Sequence, residues 1–428
     1  MKVIFPPRPF SLKTSPRYRR VLVLAGNTQV GLWVVRSLGR SGLTVFSVCT
    51  DKNALAAHSR YSSGAWALGG ASCGEACFID QLEKLARDYD VASIMPIDEA
   101  HHGAFINTRD RFEPDIHLFS PPAECFRKAI DKGYLHNLCC QEGISVARGT
   151  RLDKLMAQGQ DLPLRFPLVL RTSNQNLPGP SQKAPWKAAY AENFEQLKQL
   201  HEVVADMAAN VLVQEYHRGV EDHIQILMID GKAFMVGEYY GEHHMPLAGG
   251  VTVQRVSCHH ERLVRDAERL LQAIGWEGMA AVQFHFDRET GNYIFLEINP
   301  RFCGGLPTVI RAGFEAPFLL WQSHFEREKM KKSPYRVGLR TRILGGDANW
   351  VLAMCRGDEL PPDQHRLSKL SVLGRFIWNC GPWTRDDVFL LSDLKPFWID
   401  LRHMAGRLGL KQFDLINTPA SVKENETT

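Results

Sequence analysis

The stretch from Met279 to Arg311 limits the choice of fold more than any other part of the chain. Val282, Phe284 and Phe286 alternate with Gln283 and His285, and after the loop Asp287–Asn292 the run Tyr293–Arg301 alternates again. Side chains of a strand point alternately to opposite faces, so this pattern predicts a two-stranded hairpin followed by the start of a helix. Ile294, Leu296 and Ile298 are expected on one face of the second strand, with Glu297 and Asn299 on the other. Pro300 ends the ladder by removing a backbone donor. With Phe286 opposite Asn292, Gln283 would lie opposite Phe295 and diagonal to Glu297, roughly 7–8 Å away. Three oxygen-bearing side chains would then converge beside Arg301. Such a face suits a hard metal ion and a phosphate.

A chain of 428 residues is too long for one hydrophobic core, so several domains are expected. Its 51 basic and 47 acidic residues leave a net charge of +4, too small to argue for a nucleic-acid partner. The bases of the first twenty residues, Lys2, Arg8, Lys13, Arg17, Arg19 and Arg20, stand among four prolines with no acid, and predict a flexible basic arm over residues 1–17. Val3-Ile4-Phe5 is too short an apolar run for a signal peptide, and no run reaches the length of a membrane span. The cysteines show no disulfide framework, and the Cys73/Cys77 pair lacks a second pair at zinc spacing. Reduced thiols in a cytoplasmic protein are the expectation.

Taken in order, Arg20–Ala25, Val30–Leu38 and Leu43–Val48 read as strand, helix and strand, a parallel βαβ unit. The turn Gly26-Asn27-Thr28-Gln29-Val30-Gly31 lacks the middle glycine of a dinucleotide fingerprint. Asp98 and Glu99 would open a helix at its positive end, or line a ligand cleft at the end of the sheet. Residues 121–143 predict one helix containing Asp131-Lys132. Phe166–Arg171 and Val211–Tyr216 predict strands, and Asp230-Gly231 a tight turn between two more. His243, His244, Gly249 and Gly250 fall in an expected Gly-rich loop. Beyond Met330 the chain becomes Lys-rich, then helical, without a readable motif.

Val282-Gln283-Phe284, Glu297-Ile298-Asn299-Pro300-Arg301, Phe166-Pro167…Arg171 and Glu215…Gly219…Glu221 together resemble the ATP-grasp superfamily. The resemblance is strongest to carboxylate–amine ligase-like proteins related to carbamoyl-phosphate synthetase, and it covers about residues 18–325. It implies an α/β chain: a parallel-sheet pre-ATP-grasp domain over 18–120, a linker helix and lid over 121–210, and a core over 211–330. The last two parts would form an α+β ATP-grasp fold with two antiparallel sheets, and 331–428 would be a C-terminal extension.

The resemblance also implies roles. Gln283, Glu297 and Asn299 would hold Mg²⁺, with Mn²⁺ as a second hard ion, and Arg301 would stabilise the transferring phosphoryl group. Lys132 and Arg171 would contact phosphates. Gln214, Glu215 and Tyr216 would form the adenine hinge, and Glu221 would accept the ribose hydroxyls. The loop between Arg171 and Ala191 departs from the family, having only Gly179 where several glycines are usual. The implied activity is an ATP-dependent ligase that turns a carboxylate into an acyl phosphate, releases ADP, and joins the acyl group to an amine. The alternatives are a bicarbonate-dependent carboxylase or carbamoyl-type enzyme and a non-catalytic ATP-binding regulator. Its partners would be small carboxylates and amines, and a homodimer is one expected assembly.

Overall fold

The computed structural model describes residues 1–6, 15–68, 74–159, 162–172 and 188–408. The N-terminal sheet contains β1 (Lys2–Phe5), β2 (Arg20–Leu24), β3 (Thr44–Cys49), β4 (Ser62–Ala67), β5 (Ser93–Pro96) and β6 (His117–Leu118), in the order β1-β4-β3-β2-β5-β6. All pairs are parallel except β1 with β4. Val21 to Leu24 are fully buried, as expected of a strand covered on both faces by crossover helices. Residues 2–5 are therefore not a free arm, because an open sheet edge captures them. The neighbouring bases are also engaged: Arg17 and Arg20 pair with Asp90, and Arg19 pairs with Glu326.

The second sheet joins β7 (Gly149–Arg151), β8 (Leu168–Thr172), β9 (Ala188–Ala191) and β10 (Val211–Glu215) in the order β7-β10-β8-β9, antiparallel throughout. Its own core gathers Leu152, Leu170, Leu197 and Val213. The expected single helix before it is two, Ala123–Ile130 and Lys132–Gln141. Asp131 separates them, because its extended backbone lets its carboxylate cap the second helix through the N–H of Tyr134 at 2.9 Å.

The third sheet contains β11 (Val220–Ile229), β12 (Lys232–Met245), β13 (Val251–Cys258), β14 (Gly278–Phe286), β15 (Tyr293–Asn299), β16 (Arg340–Arg342) and β17 (Thr384–Asp386). Their order is β15-β14-β11-β12-β13-β16-β17, with only the last pair parallel. Asp230 and Gly231 close the β11–β12 hairpin with φ of +51° and +68°, the backbone that a two-residue turn requires. One face of this sheet packs Ile224, Ile226, Val282 and Phe284 under the helix Glu261–Ala273. The other packs Leu227, Met235 and Tyr239 against helices Leu306–Ala312 and Ala316–Phe325 and the N-terminal helix Gln29–Arg40.

The strands β16 and β17 show that the segment after Met330 extends the core sheet. It also ties back to the N-terminal domain: Trp33 Nε1 donates to the Asp387 carbonyl at 2.5 Å, and buried Arg36 pairs with buried Asp393 at 2.9 Å. His243 and His244 lie within β12, not in a loop, because pairing with β13 carries the strand on to Met245. Among the described residues eight cysteines are free thiols, whereas Cys77 is disulfide-bonded, which departs from the expected fully reduced set.

Candidate nucleotide and metal site

The hairpin of β14 and β15 has a different register from the one that simple alternation predicts. Phe286 pairs with Tyr293, His285 with Ile294 and Phe284 with Phe295, and then Gln283 pairs with Glu297. Leu296 is the extra residue of a bulge. The core-facing side chains of β15 are therefore Tyr293, Phe295 and Ile298, in place of the expected Ile294, Leu296 and Ile298. The bulge also moves Glu297 from a diagonal position to one directly across from Gln283, a separation of about 5 Å between β-carbons. Asn299 is buried, and its Nδ2 donates to Glu297 Oε1 at 3.0 Å, so its amide oxygen is the end left for another partner.

Beside this trio, Arg301 Nε donates to Glu99 Oε1 at 3.2 Å. Glu99 opens the helix Glu99–Phe105, whose N-cap Asp98 accepts the His101 N–H at 2.9 Å. The reading of Asp98-Glu99 as a helix start therefore holds, and that helix end faces Arg301. Burial opposes charge on Arg301, but the surrounding Cys303, Glu99 and Glu297 outweigh it and raise its pKa.

Across the sheet, Glu221 on β11 pairs with His285, and His223 pairs with Gln283. Period two puts Glu221 and His223 on the same face as Gln283. Glu221 lies 3.6 Å from His223 Nε2 and 3.8 Å from His244 Nε2. Burial pushes the Glu221 pKa upward, but these histidines and Arg171 reverse the effect and hold it below the usual carboxylate range. For His223, burial alone would lower the pKa; the Cys303 thiol and the Glu221 carboxylate raise it to about 9. His285 is held near 4 by burial. Of the two histidines at Glu221, the sequence reading placed His244 in a loop and missed His223, although its position two residues along the same strand was a usable signal.

The stretch expected to form the hinge, Gln214 to Tyr216, is shaped by packing. Glu215 N–H donates to the Arg148 carbonyl and Tyr216 N–H to the Pro167 carbonyl, both at 2.9 Å, so sheet partners use both donors. Glu215 Oε1 accepts the Arg165 N–H at 3.1 Å. Gly219 has φ of +137°, and a side chain there would come within 2.4 Å of the Phe286 carbonyl oxygen, so only glycine fits this turn. Asp363, from beyond the core, accepts the Tyr216 hydroxyl and, at 3.1 Å, the Gly219 N–H. No sequence signal pointed to Asp363.

Arg171 on β8 is half-buried and acts electrostatically on Glu221, Tyr190, Tyr216 and His285. Gln214 on β10 pairs with Val169 and Gly149. Lys132 is exposed at the first turn of the helix Lys132–Gln141, and among the described residues nothing joins it to the others. The Gly-poor loop with Gly179 lies outside the described residues. Tyr190 OH donates to the Ala248 carbonyl at 2.6 Å, tying the four-stranded sheet to the turn after β12. The four-stranded sheet thus meets the core sheet close to Glu221, through Tyr190 and Arg171.

A family model described as ATP-grasp in the biosynthetic pathway with Ter operon matches residues 208–345, the hinge, core sheet and hairpin just described. Biotin carboxylase from Campylobacter jejuni, solved as a beta-gamma-ATP complex, superposes with a TM-score of 0.54 at 17% identity, covering 75% of this chain and 74% of that one. The L-amino acid ligase from Bacillus licheniformis gives 0.54 at 14% identity, covering 74% and 78%. The chain has the ATP-grasp fold. A third ATP-grasp neighbour is the biotin carboxylase domain dimer of Hydrogenobacter thermophilus 2-oxoglutarate carboxylase, solved with MgADP, ADP and bicarbonate. It gives a TM-score of 0.53 at 15% identity, covering 75% and 73%. Identities this low make these likenesses of fold. No curated protein sequence matches the chain at a significant level. No helix among the described residues is long and apolar enough to cross a membrane.

Proposed function

We propose that this ATP-grasp chain is an ATP-dependent ligase that activates a small carboxylate as an acyl phosphate and joins it to an amine. The observation that carries this reading is the placement of Gln283, Glu297 and Asn299 together on one sheet face, with Arg301 at the end of the same strand. One carboxylate and two amide oxygens form a hard, all-oxygen donor set that suits Mg²⁺ or Mn²⁺. Such an ion, held by these three residues, would offset charge on the β- and γ-phosphates. A biosynthetic role also agrees with the description of the matching family.

In this reading the hinge from Gln214 to Tyr216 holds the adenine, and Glu221 accepts the ribose hydroxyls. Glu221 is suited to that task, because its depressed pKa keeps it an acceptor throughout the physiological range. Arg171 and Lys132 contact phosphate oxygens. The substrate carboxylate attacks the γ-phosphorus, the bond to the β–γ bridging oxygen breaks, and ADP leaves. Arg301, kept charged and oriented by Glu99, stabilises the negative charge spread over the transferring group. An amine then attacks the acyl carbon, phosphate leaves and the amine gives up a proton. Closure of the lid excludes water, which would otherwise hydrolyse the acyl phosphate.

The test is nucleotide product analysis on the full chain with pools of carboxylic acids and amines, with and without bicarbonate. ADP and phosphate that appear only when a carboxylate and an amine are both present would support the ligase. Turnover that requires bicarbonate would replace it with carboxylase chemistry. AMP and pyrophosphate would refute the acyl phosphate, and tight nucleotide binding without turnover in any pool would favour a regulator.

A further inference from the structure

Behind the nucleotide face, Asp222, Glu238, Cys258 and His260 each bring a ligand atom to within 4.8 Å of one another. The sheet assembles this group from positions far apart in the sequence. Asp222 alternates with Glu221 and His223 on β11 and so points to the reverse face. Glu238 on β12 pairs directly with Cys258 on β13, and His260 is the N-cap residue of the helix Glu261–Ala273. Asp222 and Glu238 are fully buried and Cys258 nearly so.

Two buried carboxylates this close are costly unless a cation compensates them. Neither acid pairs with an arginine or lysine among the described residues; their ion-pair partners are His259 and His260. One oxygen of Asp222, Oδ1, has no hydrogen-bond partner among the described residues. Its other oxygen lies 3.3 Å from His260 Nδ1 and 3.6 Å from Cys258 Sγ, and Cys258 Sγ lies 3.5 Å from Glu238 Oε1. A zinc ion with bonds of about 2.0–2.3 Å sets neighbouring tetrahedral ligands roughly 3.3–3.8 Å apart. The donors therefore already stand near the edges of a zinc tetrahedron, except that His260 and Glu238 are drawn into a direct hydrogen bond. A mixed sulfur, nitrogen and oxygen set favours zinc over magnesium or calcium.

We propose that Asp222, Glu238, Cys258 and His260 form a structural Zn²⁺ site, separate from the all-oxygen site of Gln283, Glu297 and Asn299 on the opposite face. Four protein ligands would close the coordination shell, leaving no place for substrate. Cys258 would bind as the thiolate and release its proton to water. The ion would tie β11, β12 and β13 to the start of the helix Glu261–Ala273 and so fix the strand that carries Glu221 and His223. The inference stands apart from the ligase reading, because its readouts do not involve turnover.

The full-length protein, purified without chelators, is expected to carry stoichiometric zinc by elemental analysis. Its melting temperature should fall on chelation and recover with added Zn²⁺. Replacement by Co²⁺ should give a near-ultraviolet thiolate-to-cobalt charge-transfer band and the strong visible bands of a tetrahedral ion. Cys258→Ser should lose the charge-transfer band, and should Cys258→Ser fail to fold, the wild-type cobalt spectrum decides alone. Protein without zinc, with a chelator-independent melt and no cobalt–thiolate band, would overturn the proposal. Bound metal without the thiolate band would overturn it equally.

Discussion

Arg301 and Glu99 meet at 3.2 Å although 202 residues separate them in the chain. This contact joins the N-terminal parallel-sheet domain to the strand end that carries the metal-type side chains. It also orients the Arg301 guanidinium. Arg301→Met is expected to lower kcat by about 10²–10³-fold, the usual cost of removing a group that stabilises developing charge. Glu99→Gln should give a smaller loss, since the arginine stays but is less well held. Steady-state ADP release would check both, and equal activity of Arg301→Met and wild type would remove Arg301 from the mechanism.

Glu297 is the only carboxylate of the Gln283–Glu297–Asn299 trio. Glu297→Gln keeps its size and still presents an oxygen toward Asn299, but removes the negative charge that a divalent ion needs. Turnover should disappear, while the circular dichroism and melting temperature stay close to wild type. Calorimetric titration with ATP should show the loss of the magnesium-dependent part of binding.

His117 stacks on His324 with ring centres 3.6 Å apart, where β6 meets the helix Ala316–Phe325. Burial, then the charges of His324 and Arg109, lower the His117 pKa from 6.5 to about 3. The folded protein therefore keeps this ring neutral, while the unfolded chain protonates it below pH 6.5. Stability should fall as the pH drops from about 6.5 toward 3, by up to 1.4 kcal/mol per pH unit for this one proton. His117→Phe retains a stacked ring without the proton, and should show a shallower loss of melting temperature between pH 7 and pH 4.5. An unchanged profile would rule out His117 as a source of the acid sensitivity.

Asp393 holds the C-terminal segment onto the N-terminal domain. It pairs with Arg36 at 2.9 Å, and also accepts the Ser59 hydroxyl at 2.7 Å and the Arg60 N–H at 2.8 Å. Asp393→Ala strands a buried guanidinium and should cost about 3–5 kcal/mol. Urea unfolding would measure the loss, and Arg36→Met combined with Asp393→Leu should restore most of it. A single-variant loss below about 1 kcal/mol would show that the interface relaxes around the charge.

Much of the fold was legible because local patterns carried it. The buried apolar run of β2, the Asp230-Gly231 turn and the alternation in β14 each follow from backbone preferences within a few residues. The ordered motifs from Phe166 to Arg301 added the ATP-grasp resemblance, which the fold bears out. Chain-local reasoning failed where a single backbone irregularity changed the outcome. Asp131 broke one expected helix into two by capping the second, and the bulge at Leu296 altered which residues of β15 face the core.

The sequence by itself thus determined the face of Gln283, Glu297 and Asn299 and the presence of Arg301 beside it, because period two and a terminating proline are local properties. Only the tertiary structure decided that Gln283 stands directly across from Glu297, that Glu99 reaches Arg301, and that Asp363 bonds to Tyr216 and Gly219. It alone gathered Asp222, Glu238, Cys258 and His260 behind the same sheet. These relationships depend on strand register and domain docking, where packing energy is shared over many distant residues and leaves no periodic trace in any one stretch of sequence.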